Sequence, residues 1–103
     1  MCFSQRDKIF GLLFGCAYGD AMGMPSEMMC RTILDETFPD GIHALLPSSK
    51  NDFFKRKFKA GEVTDDTVNT LLVCDSIIED GKFDTELYLR KLLRWADENP
   101  EKN

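Results

Sequence analysis

A threonine and two aspartates stand in succession in Thr64-Asp65-Asp66-Thr67, at the head of a run with apolar periodicity. A hydroxyl and two carboxylates are hard oxygen donors of the kind magnesium takes, an ion that uses few protein ligands and keeps water or substrate oxygens in its other positions. Successive helical residues diverge by about 100°, so adjacent carboxylates suit two ions roughly 4 Å apart better than they chelate one. The same tetrapeptide also fits a structural purpose, a threonine N-cap followed by acids where the helix dipole favours negative charge. Read locally, the cap is the simpler of the two.

A second group of residues lies upstream. Gly11, Gly15, Gly19 and Gly23 recur at every fourth position. Each glycine inside a helix costs about 1 kcal/mol relative to alanine, so a gain elsewhere has to offset the pattern. Residues four apart form one ridge of a helix, and a ridge of glycines lets another helix or a ligand approach the backbone. Close helix packing accounts well for Gly11 and Gly15. It accounts less well for the far end, where Asp20 meets the unfavourable end of the helix dipole among small and apolar neighbours. Asp20 either holds backbone amides of the Gly23 to Ser26 turn or belongs to a site. Glu27 follows that turn, as a first-turn acid of a second helix or as part of the same site.

The elements that must carry these residues are helical. Ile9, Leu12, Leu13, Cys16, Ala17 and Ala21 recur at intervals of three and four, which predicts a helix over 5–23 with one buried face, ended by Gly23 and Pro25. A short second helix is expected from Ser26 or Glu27 to about Thr37, with Met28, Met29, Ile33 and Leu34 as its apolar side. Residues 42–61 read as a long loop holding at most a helical turn, and long ordered loops are often functional. Val68, Leu71, Leu72, Cys74 and Ile78 predict a helix opened by Thr64 and closed by Gly81. A last helix runs from Asp84, a good N-cap, to about Ala96, with Leu87, Leu89, Leu92, Leu93 and Trp95 as its stripe and a polar tail behind it. Nothing alternates with period two for long enough to demand a sheet, so the expected fold is all-α, an orthogonal helical bundle.

Composition excludes several functions. With 18 acidic against 13 basic residues and a net charge of -5, the chain lacks the footprint needed to grip nucleic acid. Its one basic cluster, Lys50, Lys55, Arg56, Lys57 and Lys59, is interleaved with Phe53, Phe54 and Phe58. That mixture can meet a phosphate-bearing ligand, but a solvated loop with phenylalanine anchors is the simpler reading. Cys2, Cys16, Cys30 and Cys74 show no metal or redox spacing and read as small core residues of a cytoplasmic protein. Leu13-Phe14-Gly15-Cys16 loosely resembles a lipoprotein cleavage box, against which stand Asp7 in the basic region and the bulk of Phe14. The apolar run is too short to span a bilayer.

Taken in order, the segment from Gly11 through Gly15, Gly19, Asp20, Gly23 and Pro25 to Glu27, followed by Gly61-Glu62-Val63-Thr64-Asp65-Asp66-Thr67, resembles the two N-terminal motifs of the ADP-ribosylglycohydrolase family. The resemblance runs from about Lys8 to Asp84. It implies an all-helical, magnesium-dependent enzyme holding two Mg2+ ions and hydrolysing the glycosidic bond between ADP-ribose and a protein side chain or small acceptor. By that resemblance Thr64, Asp65 and Asp66 are metal ligands, Asp65 and Asp66 are catalytic, and Glu27 binds substrate near the ribose. The implied partner is an ADP-ribosylated protein or ADP-ribose derivative, with no nucleic acid and no membrane.

The family also contributes a second Asp-x-Asp-Ser/Thr group, and none follows Thr67 here; Asp84-Thr85 comes nearest and reads as a helix cap. Residues 1–103 are therefore expected to be the N-terminal part of such a domain, carrying half of its metal site and inactive alone. Self-association to cover unburied helix faces is a further expectation for so short a chain. The alternative from a different class is a non-catalytic helical binding or assembly module.

Overall fold

Ser4 opens the first helix in the computed structural model, which describes residues 2–102. Its Oγ accepts from the Asp7 amide at 3.1 Å while the Asp7 carboxylate accepts from the Ser4 amide at 3.4 Å, a reciprocal capping box. Helix α1 spans Gln5–Gly23, as its periodicity predicts. The described residues divide into two compact units, one ending at Thr64 and one beginning at Asp65. All regular elements among them are helical, with no strand, so the fold is all-α.

The first unit departs from expectation in how α1 is covered. Only Ala21 of this helix is buried, and Leu12 is 71% exposed. A Cβ placed on Gly11, Gly15, Gly19 or Gly23 would meet nothing within 4 Å, so among the described residues the glycine ridge is not a close-packed helix contact. Phe10, Phe14 and Tyr18 instead stack on one another along the helix surface, with successive ring centroids 6.0 Å apart. The periodicity is real, because a helix apolar on several sides belongs to a buried environment; the unit itself does not supply one.

Past Gly23 the backbone tightens into a 3-10 turn over Met24–Ser26, with Pro25 at its start and Met24 and Pro25 buried. The second helix does not start at Ser26 or Glu27. Glu27 is extended, with ψ 131, and Met28 takes a positive φ of 63, so α2 covers only Arg31–Thr37. Pro25 does not push Met24 out of the helical region, since Met24 is αR at φ -54 and ψ -45; the helical path is broken only at Glu27 and Met28. Met28, expected on the apolar side, is exposed.

Residues 38–64 form the long loop that the sequence predicts, without a regular helix. Ser48 closes it on itself. The Ser48 amide donates to the Phe58 carbonyl at 3.0 Å, its Oγ accepts from the Phe58 amide at 2.9 Å, and the hydroxyl donates to the Arg56 carbonyl at 2.7 Å.

The second unit is a helical hairpin. Helix α3 covers Asp65–Asp80 and α4 covers Thr85–Glu98. Gly81 takes φ +81 and its amide donates to the Ile77 carbonyl at 2.7 Å, a left-handed terminator that a side chain would strain. The Asp84 carboxylate caps α4 by accepting from the Glu86 amide at 2.9 Å. Tyr88 donates to the Asn69 side chain at 2.8 Å, and Lys91 bridges Asp75 and Glu79, joining the two helices. The stripes are narrower than expected: Leu71, Ile78, Leu89 and Leu93 are exposed, and a 3-10 turn at Pro100–Lys102 interrupts the polar tail.

The cysteines also differ from expectation. All four are free, as predicted, but Cys16 and Cys74 are half-buried and Cys2 and Cys30 exposed, so none is a core residue. No helix among the described residues is long and apolar enough to cross a membrane.

Candidate active site

Asp20 sits in the last turn of α1 and resolves the two readings of its sequence position in an unexpected way. Its carboxylate accepts from the Thr64 amide at 2.8 Å and from the Thr64 hydroxyl at 2.6 Å. A charged acceptor and two donors 44 positions away make these strong, short bonds, and Thr64 is buried by them. The hydroxyl spends its proton on Asp20. Asp20 is thus an anchor for Thr64.

Asp65 and Asp66 occupy the first turn of α3, and both are exposed to solvent. As donor types, the Thr64 hydroxyl and these two carboxylates fit magnesium chemistry. No group of three or more His, Cys, Asp or Glu side chains converges among the described residues.

Glu27 is organised by a network that the sequence did not reveal. Arg56 Nη1 donates to Glu27 Oε1 at 2.8 Å, Arg56 Nη2 donates to Asp52 Oδ1 at 2.8 Å and to the Met24 carbonyl at 3.1 Å, and Nε donates to Asp52 Oδ2 at 3.1 Å. Asp52 is 1% exposed and accepts as well from the Phe54 and Arg56 amides at 3.1 and 2.9 Å. Burial alone would push the Asp52 carboxyl up; the hydrogen bonds and charge of Arg56, with the Phe54 amide, outweigh it and hold the group below its ordinary value. The Asp52 hydrogen bond prevails over burial in the same way to raise the Arg56 guanidinium. The Phe54 and Phe58 rings lie 4.9 and 5.2 Å from the guanidinium carbon, within cation-π range.

Lys50, Lys55, Lys57 and Lys59 are exposed, as the solvated-loop reading expects, but the phenylalanine anchoring in that reading is corrected. Phe53 and Phe54 are exposed, and the anchor is Arg56, whose side chain is only 15% exposed. The available signal was Asp52 four residues before Arg56 with phenylalanines between and behind, a spacing that serves an ion pair in any locally turned backbone.

The chain is all-α, with a hydroxyl-and-carboxylate motif at the start of α3 and a glutamate held by Arg56. The ADP-ribosylglycohydrolase profile matches residues 2–103, and the chain belongs to the ADP-ribosylglycohydrolase family. It is 41% identical over 93 residues to the uncharacterized protein YegU of Escherichia coli (strain K12), an alignment covering 89% of this chain and 28% of that protein. It is 35% identical over 89 residues to the ADP-ribosylarginine hydrolase Tri1 of Serratia proteamaculans (strain 568), covering 86% of this chain and 21% of the relative. An uncharacterized protein of Archaeoglobus fulgidus is 34% identical over 91 residues, with 88% and 28% covered. The chain thus spans less than a third of the length of these curated relatives. No solved structure matches it.

Proposed function

We propose that this chain is the N-terminal part of a magnesium-dependent hydrolase that cleaves the glycosidic bond between ADP-ribose and a protein side chain or small acceptor. The observation that carries the reading is Thr64, locked by Asp20 at the residue preceding two solvent-facing aspartates. A helix start that served only as a cap would not need a carboxylate 44 residues away to fix its threonine. Family membership and the likeness to a protein named ADP-ribosylarginine hydrolase support the same substrate class and make an arginine linkage the first to try.

In this reading Thr64, Asp65 and Asp66 hold half of a site for two Mg2+ ions, and ligands outside residues 1–103 complete it. Bound magnesium supplies Lewis acidity and an activated water. The residues of this chain orient and stabilise. Asp65 and Asp66 would hold the ions and offset their positive charge where the ribose becomes oxocarbenium-like as the acceptor departs. Glu27 accepts from ribose hydroxyls and fixes the sugar against that charge.

The test is release of ADP-ribose from an ADP-ribosylated arginine peptide by the full-length protein. Asp65→Ala and Asp66→Ala are each expected to lower turnover beyond the about 10- to 100-fold that even a supporting partner of a metal site is worth. Wild-type rates in both variants would contradict the assignment.

A further inference from the structure

Arg56 has five N–H donors, and the bonds named above direct its Nη1, Nη2 and Nε toward Glu27, Asp52 and the Met24 carbonyl. Two aromatic rings lie beside its guanidinium. It is therefore committed inside the protein and unsuited to grip a phosphate from solvent, although it belongs by sequence to the basic cluster. Of its two carboxylate partners, Asp52 is buried and Glu27 remains 36% exposed. One end of the clamp is thus a socket and the other a held but reachable carboxylate.

The backbone on both sides of this ion pair is strained. Met28, directly after Glu27, has φ 63, and Lys55, directly before Arg56, has φ 57; these are the only positive-φ residues other than glycine among the described ones. Side-chain-bearing residues enter the left-handed region at a cost and persist there where the surroundings over-determine them, commonly at functional sites. Strain located at each partner of one ion pair indicates that the pair's position matters more than the comfort of its local chain.

We infer that Arg56 is a positioning residue for Glu27: seated on Asp52, it fixes the one exposed carboxylate of the clamp in the orientation from which Glu27 meets the substrate ribose. The inference rests on the proposed hydrolase reading for the identity of the ligand, while the pin itself is independent of it. Arg56→Lys keeps a positive charge but lacks the fork needed to reach Glu27, Asp52 and the Met24 carbonyl together. Asp52 is the buttress, so the socket predicts that only the planar guanidinium restores the geometry.

Two measurements on the full-length protein test this. In the first, 15N spectra of the Arg56 guanidinium should show distinct, slowly rotating Nη1 and Nη2 groups, with Glu27→Gln altering Nη1 and leaving Nε in place. A guanidinium indifferent to Glu27→Gln overturns the inference. In the second, a double-mutant cycle on ADP-ribosylarginine hydrolysis, Arg56→Lys should lower kcat/KM by about 100-fold, as a misplaced contact group does. In a Glu27→Ala background the same change should cost less than about threefold, because the side chain it acts through is gone. Losses that multiply in the double variant show a merely structural Arg56 and overturn the inference. A wild-type protein with the pinned Nη1 signal but no turnover supports the pin and sinks the arginine-linkage hydrolase reading instead, so the two failures are distinguishable.

Discussion

The two units hold their shape by different means. In the first, the ties beyond α1 are polar and specific: Asp20 to Thr64, Arg56 to Asp52 and Glu27, and Ser48 to Phe58. In the second, two helices pack as a hairpin and are laced at the rim by Lys91 with Asp75 and Glu79, both largely exposed. Helix packing tolerates small adjustments, whereas a buried charge with fixed donors permits one geometry. The residues proposed to meet substrate and to anchor the metal motif, Glu27 and Thr64, belong to the unit built from such single-geometry ties.

This contrast predicts an order of mutational cost. Asp52→Ala removes the buried counter-charge of Arg56 and the acceptor of two backbone amides, so it should cost about 3–5 kcal/mol, the usual penalty for stranding one partner of a buried pair. Urea unfolding would measure it, and a cost below that of a surface substitution would break the contrast. The same carboxylate sets an acid limit. Its folded pKa lies below the ordinary 3.8, so its stabilising contribution is complete above that value and is lost as pH falls further, through the folded pKa. Asp52→Ala should therefore flatten the acid limb of stability below about pH 4.

Asp20→Ala comes next. It takes the shared acceptor from the Thr64 amide and hydroxyl and should cost about 1–3 kcal/mol. Amide hydrogen exchange at Thr64 should accelerate with it, and unchanged protection would contradict the anchoring role. Lys91→Met ranks last. Its partners are solvent-exposed, so the small loss in melting temperature should vanish at 1 M salt, where charges are screened within about 3 Å. Hydrogen bonds that Lys91 donates to Asp75 and Glu79 raise its pKa above 10.5, so this contribution is complete below that value and fades only as pH rises through the folded pKa.

What the sequence disclosed follows the same division. The bounds of α1, the start of α3 at the aspartates and the Asp84 cap were legible because periodicity and caps are local properties. The long loop was legible from its turn residues. The Arg56 clamp was hidden, because its partners Glu27 and Met24 stand 29 and 32 positions away and nothing in the basic-aromatic run names them. Helix α2 began late for the same reason, since the extended Glu27 answers to Arg56 rather than to its neighbours' helix propensity. The covering of α1 was also illegible: its apolar positions call for burial, and periodicity cannot say which chain segment provides it.

For the proposed chemistry, the decisive quantity is the rate at which the full-length protein releases ADP-ribose from an ADP-ribosylated arginine peptide, before and after chelation. Release should stop when divalent ions are removed, return on adding Mg2+ to wild type, and fail to return in Asp65→Ala. Release that continues unchanged in chelator, or that returns with Mg2+ in Asp65→Ala as fully as in wild type, would contradict a magnesium-dependent hydrolase built on Thr64, Asp65 and Asp66.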